Sequence, residues 1–287
     1  MNQKATVRKL LLSKSVYVLL FVVGAVAFLY PLVSNILNYR AQTRVIYDYT
    51  AEVAAFDEAT LVSKRESARI YNEYIAGLEG YVTDDLLDTE RDASSVVYMS
   101  TLNVGPSMGF ITIPKIDVKL PIYHGDGDDV LSIGVGHMER SSLPIGGEST
   151  HTVLVGHRGL PTSHMFRDLG LLEVGDLFFI DTLDERLAYE VESIKIVLPA
   201  EATSLQVQED RDLATLITCE PYMINSHRLL VTGHRTEYVE DMAENVEGRI
   251  TFFQKYWEYF LIVAVFVLLL ILTILVQRQY RKHIEST

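Results

Sequence analysis

Two uninterrupted apolar runs bracket the chain, Val16–Val33 (VYVLLFVVGAVAFLYPLV) and Phe260–Val276 (FLIVAVFVLLLILTILV), and neither contains a charged residue. A bilayer's hydrocarbon core takes roughly 20 residues of helix, with a lower limit near 17, so each run predicts a transmembrane helix. Between them the pattern changes twice. From Asn35 to Ala76 there is no Gly or Pro. Over that stretch Ile36, Tyr39, Val45, Ile46, Tyr49, Val53, Phe56, Ile70, Tyr74 and Ile75 recur at mixed three- and four-residue spacings, which predicts one or two amphipathic helices. Between Gly77 and Gly109 the period dissolves into a polar, acidic stretch, YVTDDLLDTERDASS, that reads as a long loop. From Gly109 the texture becomes that of strands: GFITIPKI, VKLPIYHG, HTVLVGH, DLFFIDT, LAYEVESIKIVLP, ATLITC and HRLLVTGHR are short, rich in Val, Ile, Leu and Phe, and punctuated by Gly, Pro, Asp or Ser. Seven or eight such strands with little helix between them predict an antiparallel barrel or sandwich.

The expected organisation is a basic tail and membrane helix over 1–34, an extracellular helical segment over 35–76 and a loop over 77–108. A mainly β domain over 109–240 follows, then a juxtamembrane linker over 241–259, a membrane helix over 260–276 and a basic tail over 277–287. The charges orient it. Lys4, Arg8, Lys9 and Lys14 precede the first run and Arg278, Arg281 and Lys282 follow the second, so the positive-inside rule puts both ends in the cytoplasm and the middle outside. Tyr256, Trp257 and Tyr259 stand where an aromatic belt is expected. A cleaved signal peptide is the alternative for the first run, because Ala25-Val26-Ala27 is an acceptable cleavage site. The apolar residues continue past it to Val33, and on either reading the middle is exported. Seven of the 25 Lys and Arg and two of the 38 Asp and Glu lie outside residues 35–255, which leaves that portion near −18. Such a surface repels nucleic acid and anionic lipid.

Export gives the single cysteine its meaning. Structural cysteines of exported proteins come in pairs, so Cys219 is either a small buried apolar residue or a reactive thiol. It ends the alternating run Thr215-Leu216-Ile217-Thr218, which Glu220-Pro221 terminates, so it stands where a loop opens. Arg228 begins the next strand, and a hairpin would lay its charge beside the sulfur, favouring the thiolate and a developing oxyanion. Arginine stays protonated and cannot be the acid or base. A histidine can, and thiolate attack with imidazole protonating the departing amine is acyl transfer. His157 follows an apolar run and sits in the Gly-rich stretch VGHRG; His151, His227, His234, His124, His137 and His164 compete with it on spacing, while His283 lies in the cytoplasmic tail. The histidine spacings fit no metal motif, there is no paired cysteine and no phosphate-cradling loop, so no metal or cofactor is expected.

TLITC with Arg228 nine residues beyond the cysteine in NSHRLLVTGHR, together with HTVLVGHRG, resembles the sortases, transpeptidases of Gram-positive bacteria. MGFITIPKIDVKLPIYHG, GVGHMERSSLPIGG, GHRGLPTSHMFRDL and the second apolar run extend the resemblance to the pilus-assembling class C over most of residues 15–280. The resemblance implies a closed eight-stranded β-barrel with His157, Cys219 and Arg228 in the catalytic roles. It also implies cleavage of an LPXTG-like sorting signal between Thr and Gly, with a thioester on the cysteine and resolution by a lysine amine of the next pilin subunit. The partners implied are pilins and the membrane. A housekeeping sortase acting on cell-wall precursor, a hydrolytic cysteine protease and a non-catalytic membrane-held scaffold are the rival readings.

Class C enzymes usually carry an Asp-Pro-aromatic lid anchor, yet there is no proline between Pro31 and Pro106. Asp84-Asp85-Leu86-Leu87 stands in its place, so Asp84 or Asp85 is expected to pair with Arg228 while Leu86 or Leu87 covers Cys219; the alternative is an acidic loop that touches nothing. Replacing Asp84 and Asp85 together by alanine should raise the rate of peptide cleavage, measured with a fluorogenic substrate. An unchanged rate removes the lid.

Overall fold

The computed structural model describes residues 3–77, 93–158, 160, 163–199, 205–238, 257, 260–269, 271, 272, 275 and 278. Two compact units emerge, residues 1–36 with 250–287, and residues 37–249. The first holds the start of the long helix α1 (Gln3–Ala54) and the apolar helix Phe260–Leu269. Among the described residues, Phe21–Ala54 is the one helical stretch long and apolar enough to cross a membrane, with mean hydropathy 1.7; Phe260–Leu269 is shorter.

The second unit is built on eight strands: β1 (Gly109–Ile113), β2 (Val118–His124), β3 (Val135–His137), β4 (Thr150–Val155), β5 (Leu177–Thr182), β6 (Glu185–Val197), β7 (Asp212–Glu220) and β8 (His227–Thr236). They close into a barrel in the order β1-β2-β3-β4-β7-β8-β6-β5, with β5 returning to β1. The seven segments expected as strands are all strands. The eighth, β3, lies in GVGHMERSS and has three residues, too few to show alternation. The expectation of antiparallel pairing is corrected: β2–β3 and β4–β7 are parallel. Parallel neighbours need a crossover rather than a turn, and α4 (Asp128–Leu131) stands in the β2–β3 connection.

Strand alternation divides the apolar residues between two clusters. Leu154, Leu216, Leu229 and Val231 belong to the large core, with Ile111, Phe178 and Tyr189. Their neighbours Val153, Val155, Ile217 and Leu230 belong to a smaller cluster with Leu131, Met138 and Leu205. Successive side chains of a strand point to opposite faces, so the smaller cluster lies on the other face of the β4–β7–β8 wall.

Two helices pack on the barrel. The end of α1 and α2 (Glu58–Ala76) flank a short break where Asp57 caps α2 by accepting from Thr60 N at 2.9 Å. They bury Ile46, Tyr49, Val53, Leu61, Ala68, Tyr71 and Ile75. Tyr39, Ile70 and Tyr74, expected on the apolar face, are exposed instead; the mixed spacings do not define one stripe. Polar contacts fix the docking. Tyr49 Oη donates to Met108 O (3.1 Å) and accepts from Leu183 N (2.7 Å). Asn72 donates to Leu143 O (3.1 Å) and accepts from Leu143 N (2.6 Å).

The stretch expected as one long loop contains helix α3 (Ala93–Ser100). Its Tyr98 is fully buried against two barrel histidines, with ring centroids 5.1 Å from His124 and 5.6 Å from His137. The Tyr98 hydroxyl lies 3.0 Å from His137 Nδ1 and 2.8 Å from His137 O, and accepts from Gly125 N at 2.8 Å. A single apolar turn in an acidic segment leaves too little periodicity to read. The lid candidates Asp84, Asp85, Leu86 and Leu87 lie outside the described residues.

Burial pushes the His137 imidazole down to about 4, and its Nε2–H donates to Ser142 O at 2.9 Å. The unfolded chain therefore takes up this proton near 6.5, before the folded one does. The contribution to stability is whole above pH 6.5, is lost as pH falls towards 4, and amounts to about 3 kcal/mol. In denaturant titrations of the detergent-solubilised protein, His137→Gln, which keeps both hydrogen-bonding partners without titrating, should lose less stability than the parent between pH 7 and 4.5. Equal losses would show that His137 does not carry this dependence.

Candidate active site

β7 and β8 form a hairpin whose register sets Cys219 directly opposite Arg228, as Ile217 is opposite Leu230. Directly opposed residues of an antiparallel pair share a face, so Cys219 and Arg228 extend the layer made by Ile217 and Leu230. On the other flank, parallel pairing puts Val155 at the level of Ile217. The pairing continues one step further: Gly156 N donates to Ile217 O at 3.0 Å and Thr218 Oγ1 donates to Gly156 O at 2.8 Å. His157, two residues beyond Val155, thus reaches the level of Cys219, two residues beyond Ile217. Three strand ends, which carry His157, Cys219 and Arg228, meet at one rim of the barrel.

Local sequence explains the placement. A Cβ at Gly156 would lie 2.5 Å from the Phe166 ring, so only glycine lets that ring pack against the backbone just before the histidine. Phe166 N then donates to His157 O at 3.0 Å, which fixes the turn after β4. Past Cys219, β7 stops at Glu220-Pro221, and Ile224 N and Asn225 N both donate to Pro221 O (3.1 and 3.0 Å). This tight turn carries Met223 and Asn225 at φ 66° and 59° and returns the chain to β8. Arg228 Nη1 donates to Asn225 O and His227 O, each at 3.3 Å.

Cys219 is a free, half-buried thiol. His157 is also half-buried, and that burial lowers its pKa, opposed by the Asp128 carboxylate at the start of α4. The neutral imidazole is accordingly favoured at neutral pH.

Several rival histidines are committed elsewhere. His151 is buried between Gln206 O (Nδ1, 2.8 Å) and Thr215 Oγ1 (Nε2, 2.7 Å). His124 Nε2–H donates to Thr101 O at 2.7 Å, and His137 sits beneath Tyr98. His234 faces Glu192 at 3.3 Å and His164 contacts Arg167, while His227 stands beside the site, opposite Glu220, and contacts its neighbour Ser226 at 2.8 Å. His283 lies outside the described residues.

Three charged neighbours were not singled out from sequence. Asp128 acts on His157. Arg158, next to the histidine, forms an ion pair with Glu220, next to the cysteine. The sequence marks Glu220 only as part of a strand terminator. Pairing across such a separation leaves no local signal.

Residues 111–236 match the family model described as the sortase domain. Among curated proteins, Sortase D of Bacillus subtilis is 35% identical over 118 residues, a match spanning 41% of this chain and 57% of that protein. Among solved structures, sortase C1 of Streptococcus agalactiae is 41% identical with a TM-score of 0.63, covering 68% of this chain and 100% of that one. The sortase C of Streptococcus pneumoniae is 39% identical with a TM-score of 0.63, covering 69% and 98%; its description refers to pilin substrate specificity. With that identity over nearly the whole of both solved chains, on a closed barrel that sets the cysteine against the arginine, this chain belongs to the sortase family of transpeptidases, and its structural neighbours are class C sortases.

Proposed function

We propose that the chain is a pilus-assembling cysteine transpeptidase with His157, Cys219 and Arg228 as its catalytic residues. The observation that supports this reading is the strand register, which opposes Cys219 to Arg228 and sets Val155, two residues before His157, level with Ile217, two residues before Cys219. The Cys219 sulfur attacks the threonyl carbonyl of an LPXTG-like signal while its proton passes to His157. Arg228 stabilises the oxyanion that forms. The intermediate collapses as the imidazolium protonates the departing glycine amine, which leaves a thioester on Cys219. A lysine amine of the next pilin then attacks, gives its proton to His157 and releases the thiol, forming an isopeptide bond. The lowered pKa of His157 suits a base that starts neutral and becomes protonated only as the sulfur bonds to carbon.

In this reading both ends are cytoplasmic, residues 16–33 and 260–276 span the membrane, and the barrel over 109–240 works outside. Two anchors hold the enzyme in the plane where membrane-tethered pilins arrive, which raises their effective concentration.

Incubating the full-length protein in detergent with an LPXTG-type peptide should give a hydroxylamine-sensitive adduct on Cys219 by mass spectrometry, and an isopeptide product when a lysine peptide is added. Product that appears without any adduct, or a Cys219→Ala variant that retains activity, rules the reading out. Transfer to a cell-wall precursor amine in preference to lysine would instead assign the housekeeping role. Arg228→Lys should lower kcat about 100-fold while the adduct still forms, since a single oxyanion donor commonly contributes that much.

A further inference from the structure

The parallel pairing of β4 with β7 ends at Gly156 and Thr218, one residue short of the two reacting side chains. Beyond it a side chain continues the connection. Arg158 Nη1 donates to Cys219 O at 3.4 Å and meets the Glu220 carboxylate. The two side chains retain 18% and 19% of their exposure, so the pair is held largely out of water, where an ion pair is screened less by salt and solvent. The guanidinium is also confined. Gly170 and Leu229 stand beside it: a Cβ on Gly170 would lie at ordinary contact distance from both, 3.6 Å from Arg158 Nη2 and 3.7 Å from Leu229 Cδ2.

We propose that Arg158 and Glu220 form a single positioning device. It ties the strand end bearing His157 to the strand end bearing Cys219, and it does so without adding net charge beside the sulfur. The inference rests on the transpeptidase reading of Cys219. A guanidinium suits the first task because its planar fork can hold a carbonyl and a carboxylate together. An unbalanced guanidinium there would also pull the thiol towards its anion. Glu220 cancels that pull, which leaves Arg158 a geometric role. Other charged and titratable groups surround Cys219 from the same three strand ends: His157 after β4, and His227 and Arg228 on β8 facing Glu220 and Cys219. Asp128 of α4 acts on His157. None of these is altered in the variants below, so changes in thiol titration report on the pair.

The test is the pH profile of iodoacetamide alkylation of Cys219 in the full-length protein, which needs no transpeptidase activity, run beside transpeptidation kinetics. Glu220→Gln leaves the guanidinium unbalanced, and the thiol should titrate about one unit lower. Arg158→Gln leaves the carboxylate unbalanced, and the thiol should titrate about one unit higher. Each single variant should lose roughly 10- to 100-fold in kcat with KM nearly unchanged, because misplacement of reacting groups is felt in the chemical step. The double glutamine variant should titrate as the parent does and be no slower than either single, as expected for two residues acting as one unit. Shifts in the same direction, or none, overturn the proposal, because a purely structural pair would not move the thiol in opposite senses. If either glutamine variant fails to fold, Arg158→Glu with Glu220→Arg is read in its place: a thiol titrating as in the parent, with activity above that of the remaining single variant, supports the device, and its absence overturns it. Failure of the transpeptidase reading would appear separately, as activity retained by Cys219→Ala.

Discussion

The register between β4 and β7 is the constraint on which the site depends. A strand's side chains alternate with a period of two, so a slip of one residue would turn His157 away from Cys219 and carry Val153 and Val155 off the smaller apolar cluster. The two consequences are coupled. The side chains that bury this cluster also set the parity of the strand ends that carry His157 and Cys219, so core packing and the geometry of the candidate site are specified by one alignment. The β7–β8 hairpin extends the same parity to Arg228.

Contacts outside the barrel hold that alignment in a fixed frame. Tyr49 joins the backbone at Met108 to that at Leu183, ahead of β1 and after β5. Asn72 pairs with both polar groups of Leu143, in the connection leading into β4. Each is a buried side chain that both donates to and accepts from backbone, and loss of one partner would strand the other away from water. The helices that precede the barrel thus brace the loop that delivers His157, although none of their side chains is assigned a chemical role.

Much of this was legible in the chain, and the reasons differ from one element to the next. The opposition of Cys219 to Arg228 could be anticipated because a hairpin is local: two strands and one turn place nine residues of sequence face to face. The choice of His157 could not be made from spacing, because it depends on parallel pairing across a long crossover, and six other histidines had comparable surroundings. Family resemblance, rather than periodicity, distinguished it. β3 was too short to alternate, and α3 was masked by its acidic surroundings. A mixed three- and four-residue spacing fits more than one stripe, so it predicts Tyr39, Ile70 and Tyr74 on the buried side where Ala68 and Tyr71 take the buried positions on α2. The Arg158–Glu220 pair had no signature at all, since its members are separated by 62 positions and meet only where β4 and β7 end.

The ring in which every strand has two neighbours governs how such a protein can hold an extended polypeptide. Many peptide-binding domains lend a bare sheet edge, and the guest gains affinity through main-chain ladder bonds that ignore its side chains. A sheet closed on itself offers little of it, confined to stretches paired on one side such as residues 193–197 of β6, which β8 matches beyond the reach of β5. Under the proposed function a guest at this rim is gripped mainly by side chains and by the turns between strands, which can vary in sequence without disturbing the wall beneath them.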